Sequence, residues 1–108
     1  MKFEHKIAIY VPSTVYAHVP TDNSEIVSGL LKTLSEYFGG ATAVPGKGAY
    51  VTDSGELVTE DVTICYAFVE RAKVKIATDV AVEEAKRVRD QMRQECVMVE
   101  IDGVAHLI

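Results

Sequence analysis

The stretch Val58-Thr59-Glu60-Asp61-Val62-Thr63-Ile64-Cys65-Tyr66-Ala67-Phe68 carries the strongest strand signal in the chain. Side chains on a strand alternate between two faces, so Val58, Glu60, Val62, Ile64, Tyr66 and Phe68 share one side. Thr59, Asp61, Thr63, Cys65 and Ala67 share the other. The first set is larger and more apolar and reads as the core face, which leaves the second for water or a partner sheet. Glu60 is the discordant member of its set. A carboxylate on a core face would have a raised pKa and serve as a general base. The plainer reading, a structural partner at the start of the strand, is preferred.

Upstream, Asp53-Ser54-Gly55 makes a turn, and residues 41–52 form an edge-like strand interrupted by Pro45, Gly46 and Gly48. Before it, Val27, Leu30, Leu31, Leu34, Tyr37 and Phe38 recur at helical spacing. Helix caps are offered by residues 21–24, and Gly39 stops the helix. The first strand alternates Ile7, Ile9 and Val11 with Ala8 and Tyr10. Residues 13–23 then form a connection longer than the about 2–6 residues usual between strand and helix, bounded by Pro12 and Pro20. Downstream, residues 74–93 predict a second helix with Ala77, Ala81, Ala85, Val88 and Met92 inside. Residues 96–101 read as a strand, and Asp102-Gly103 signals a type I′ hairpin into residues 104–108.

The order is βαββαβ plus one strand. It predicts a single α+β, ferredoxin-like domain over residues 1–108: an antiparallel sheet with an additional C-terminal strand, covered by two helices on one face. The open face is expected to carry Ala8, Tyr10, Thr63, Cys65 and Ala67 and to pack against a copy, giving a homodimer or higher homo-oligomer.

Composition narrows the function classes. With 108 residues, 48% hydrophobic and 25% charged, the chain can build one core. A net charge of −5 argues against nucleic acid, since phosphate-binding proteins carry a basic stripe. Lys86, Arg87, Arg89 and Arg93 are interleaved with Glu83, Glu84, Asp90 and Glu95, as on a solvated helix face. The charged start, residues 1–6, runs into a strand, so neither a secretory signal nor a membrane span is expected. Cys65 and Cys96 lack metal or redox spacing and read as buried, reduced thiols in the cytoplasm.

Candidate sites are few. Pro45-Gly46-Lys47-Gly48 resembles a phosphate loop only superficially, because a strand follows it where a helix N-terminus is needed. His5, His18 and His106 are dispersed, and no metal or other cofactor is expected. A crevice between residues 13–23 and 41–51 is the best place for a small ligand, with Tyr16, His18, Lys47, Tyr50 and Glu60 as candidate binding residues. Tyr50 would stack on a planar group and Lys47 would neutralise an anionic one.

Phe38-Gly39-Gly40-Ala41-Thr42, Gly48-Ala49-Tyr50, residues 53–60 and Gln94-Glu95-Cys96-Val97 resemble a family of small uncharacterised bacterial and phage proteins. That family is similar to ferredoxin-like dimers in outline, and the resemblance implies no activity. The expected function is therefore a non-enzymatic, self-associating binding or regulatory module for a small anionic or nucleotide-like ligand. The alternatives are a phage-type inhibitor that sequesters a host signal or blocks a host protein, and a small dimeric α+β-barrel enzyme using Glu60 or a tyrosine as acid or base.

Overall fold

The computed structural model describes residues 1–16 and 19–108. Strand β1 (His5–Pro12) is followed by two short strands, β2 (Thr14–Val15) and β3 (Val19–Pro20), and by helix α1 (Ser24–Phe38). Then come β4 (Thr42–Val51), β5 (Leu57–Val69), a 3-10 turn (Arg71–Lys73), α2 (Val74–Gln91), β6 (Met98–Ile101) and β7 (Val104–Leu107). The main sheet is antiparallel with strand order β4-β5-β1-β6-β7, while β2 and β3 pair separately. Five antiparallel strands with two helices are consistent with the expected α+β architecture.

Local chemistry set most of these boundaries. Gly39 closes α1 in the left-handed region at φ 89°, donating to Ser35 O, and Asp22 Oδ1 accepts the Ser24 amide at the other end. Asp102 and Gly103 both have positive φ, 50° and 83°, as a type I′ turn requires. Met98 begins β6, so Cys96 precedes the strand and is exposed, contrary to expectation. Tyr37, expected on the inner stripe of α1, is also exposed.

The expected core face of β5 is reversed. Ile9 lies opposite Cys65 and Ile7 opposite Ala67, and these residues pack with Val69, Val99, Leu34, Phe38, Ala81, Ala85 and Val88 in one buried cluster. Both helices thus cover the Cys65/Ala67 face. Val62, Ile64, Tyr66 and Phe68 lie on the helix-free face with Ala8 and Tyr10, and Phe68 is 52% exposed. The reason is volume. Helix α1 lies over β5 and presents Leu30, Leu34 and Phe38, so only small side chains on β5 fit beneath it, while the alanines of α2 pack on β1 and β6. With the face reversed, Glu60 is no longer an oddity, since it sits on the open face, opposite Gly48.

Three basic residues of α2 pair locally: Lys86 with Glu83 at 3.5 Å, Arg87 with Glu84 at 3.4 Å, and Arg89 with Asp90 at 3.1 Å. Among the described residues no helix is long and apolar enough to cross a membrane.

Candidate active site

The open face carries its chemistry at the end where the β4–β5 hairpin extends past the helices. Gly46 and Gly48 fall opposite Val62 and Glu60. Neither glycine presents a side chain, so β4 offers bare backbone beneath the β5 side chains. A Cβ on Gly48 would meet Glu60 Cγ at 3.7 Å and Oε1 at 3.9 Å. The Glu60 carboxylate therefore lies over Gly48, half-buried.

Two adjoining cavities meet there. The first, about 470 Å³, is largely apolar, with Val62, Ile64, Val97, Met98 and Leu107 in its walls and Tyr10 among its polar groups. The second, about 590 Å³, adds Tyr16, Arg93 and Glu95. Glu60, Tyr50, Gln94 and Cys96 line both, which places the carboxylate at their junction.

The wall of the second cavity is built by the connection after β1. Gln94 Nε2 donates to Thr14 O at 2.7 Å, docking the β2–β3 hairpin against the chain after α2. Arg93 Cζ then stands 5.8 Å from the centroid of the Tyr16 ring. Tyr16 and Arg93 both adopt left-handed backbone, at φ 53° and 54°. Tyr10 donates from its hydroxyl to Glu100 Oε1 at 3.4 Å. Burial raises the Tyr10 pKa, and the charge of Glu100 and this hydrogen bond raise it further.

Of the residues singled out from sequence, Tyr16, Tyr50 and Glu60 converge on these cavities. Lys47 lies in the first cavity's rim, but its Nζ is 3.2 Å from Asp61 Oδ1, and both residues alternate to the side of the hairpin away from Glu60. Its charge is already engaged. His18 lies outside the described residues. Tyr10, Arg93, Gln94, Glu95 and Cys96 were not singled out as ligand contacts. The Gln94-Glu95-Cys96-Val97 signature marked the segment without giving it a role. Nothing in the sequence announces that the chain turns left-handed at Arg93. Among the described residues no cluster of three or more His, Cys, Asp or Glu side chains suits a metal ion. Another cavity of about 400 Å³, at the far end of β5, is lined by Phe3, Phe38, Tyr66 and Phe68 and has no carboxylate or cation in its walls.

Comparison with known proteins adds the fold's relatives. No protein-family model matches the sequence, and no curated protein matches it significantly. Among solved structures, a phage SAM lyase in the apo state aligns with a TM-score of 0.71 at 22% identity, covering 96% of this chain and 87% of the other. A phage SAM lyase in complex with S-methyl-5′-thioadenosine aligns with a TM-score of 0.68 at 22% identity, covering 96% and 88%. At that identity, what is shared is the fold.

This finding corrects the functional expectation. The two solved structures are of an enzyme, which speaks against the expected non-enzymatic binding module and favours the enzyme alternative. The expected uncharacterised family finds no matching model, while the phage character of the expectation is consistent with these neighbours. A small-molecule ligand is likewise in keeping with them, since one was solved with a bound nucleoside.

Proposed function

We propose that this chain is a lyase acting on SAM, with its site where the two cavities meet. The observation that supports the reading is the half-buried Glu60 carboxylate at that junction, between an apolar lobe and a polar one, in a fold whose solved neighbours are SAM lyases. SAM carries a positive sulfonium between an adenosine and a four-carbon amino-acid arm. Glu60 is placed to attract that sulfonium. The attraction between unit charges about 4 Å apart is about 1 kcal/mol in water and about 4 kcal/mol near a protein surface. Tyr50 offers a face for the adenine.

SAM and S-methyl-5′-thioadenosine differ by the arm, so the bond to be broken joins sulfur to the arm's γ carbon. Its electron pair leaves with sulfur, which becomes a neutral thioether and needs no proton. The arm's own carboxylate closes on the γ carbon as a five-membered lactone. No water, oxidant or added base enters. This step brings opposite charges together and cancels them, so it gains from walls that exclude water. Val62, Ile64, Val97 and Met98 supply such walls. The neutral thioether then loses its attraction to Glu60 and is released.

We also infer a ferredoxin-like topology, cytoplasmic action on a cytoplasmic metabolite, and self-association through the part of the open face outside the two cavities, where Val44 and Phe68 are exposed. The test is chromatography of SAM incubated with the protein. With SAM well below saturation, formation of S-methyl-5′-thioadenosine that Glu60→Gln cuts at least fivefold, in a variant that melts normally, supports the reading. Folded protein that leaves SAM intact refutes it.

A further inference from the structure

We infer that the second cavity is the amino-acid lobe, in which Arg93 receives the carboxylate of the substrate's arm and Glu95 its ammonium. The inference rests on the proposed SAM reading and assigns the recognition of one end of the molecule. An α-amino acid is a zwitterion, and a pocket that reads it needs one cation and one anion within a few ångströms. The 590 Å³ lobe supplies Arg93 and Glu95 beside the junction carboxylate, while the first lobe's apolar walls suit the nucleoside.

Arg93 is available for the task. Its guanidinium makes no salt bridge among the described residues, in contrast to Lys47, Lys86, Arg87 and Arg89. Its Cζ lies 5.8 Å from the Tyr16 ring centroid, and its donor edges can hold one oxygen of the arm's carboxylate while the other closes on the γ carbon.

The backbone gives a second, independent observation. Arg93 follows the end of α2 at a left-handed position, where glycine is the usual and least strained residue. Gln94 N donates back to Arg89 O at 2.9 Å, closing the helix end around it. Tyr16, across from Arg93, is also left-handed. Two strained non-glycine residues meeting over one cavity mark side chains kept at a backbone cost, and such outliers concentrate where ligands are held.

The test compares two unreactive probes by calorimetry on the full chain. S-adenosylhomocysteine and S-methyl-5′-thioadenosine share the adenosine and the neutral thioether, and they differ in the amino-acid arm. The wild type is expected to bind the first more tightly. Arg93→Gln should lower that affinity about tenfold or more and leave the second within about twofold. Glu95→Gln should also weaken the first alone. Arg93→Gly should show the same selective loss while melting higher than the wild type, which separates lost recognition from lost folding. Equal weakening of both probes, or of neither, overturns the inference and leaves the SAM reading standing. A wild type that binds neither probe overturns the inference, while the SAM reading falls only if folded protein leaves SAM intact.

Discussion

Replacing Gly48 with alanine sets stability against binding at one atom. The added Cβ would lie 3.7 Å from Glu60 Cγ and 3.9 Å from Oε1, ordinary contact distances that require no backbone shift. The position does not need positive φ, which only Gly39, Gly55 and Gly103 show among the glycines. Alanine therefore fits the folded strand and restricts the unfolded chain. The expected gain is about 0.5–1 kcal/mol, or a rise in Tm of about 2–8 °C for a domain of this size. The same methyl group stands on the floor of the site beneath the carboxylate. Overfilling a packed site costs about 1–3 kcal/mol, so affinity for S-methyl-5′-thioadenosine should fall between about fivefold and about 150-fold. Gly46→Ala is the control. Its Cβ would press on Ile64 Cδ1 and Val62 Cγ2, both at 3.3 Å, so its stability gain should be smaller. Thermal melts and calorimetry on the three proteins decide the matter. A Gly48→Ala variant that is less stable, or one that binds as tightly as the wild type, refutes the argument that this glycine is kept bare for the ligand.

Thiol labelling of the native protein should modify Cys96 alone, because burial pushes the Cys65 thiol up to about 11 and shields it, while Cys96 is exposed and lines the site. Equal rates at both cysteines would contradict the packing. Leu34→Ala, at a fully buried position, should cost about 2–5 kcal/mol by urea unfolding, whereas Tyr37→Ala, at an exposed one, should cost less than about 1. The His5 side chain and the Lys6 amide hydrogen-bond to Asp102 and hold its carboxyl below the usual range. A depressed carboxyl adds stability above its ordinary pKa and loses it as pH falls through the lowered one. Asp102→Asn, which keeps a residue suited to the turn, should therefore flatten the fall in stability below about pH 4. Because the pair is largely solvated, the difference should be small, and a steeper fall in the variant would refute it.

Glu60 shows where sequence ends and tertiary structure begins. The sequence by itself determined the elements and their order, because these answer to short-range chemistry. A helical repeat from Val27 to Phe38, a glycine at 39, an Asp102-Gly103 turn and a strict alternation from Val58 to Phe68 each act within a few residues. Alternation also established that Glu60 shares a face with Val62, Ile64 and Tyr66, but it cannot say which face lies inward. That was decided by α1, whose Leu30, Leu34 and Phe38 fill the space over β5, accept only Cys65 and Ala67 beneath them and send the bulkier set to the open side. A carboxylate in register with that set was the one sequence sign of the reversal. The same limit applies to the site. Tyr16, Tyr50 and Glu60 were legible as unusual residues, whereas Arg93 became a partner of Tyr16 only because α2 ends in a left-handed turn and Gln94 draws the β2–β3 hairpin against it. Pairing across so many residues is set by how packed layers fit together, and no local pattern encodes it.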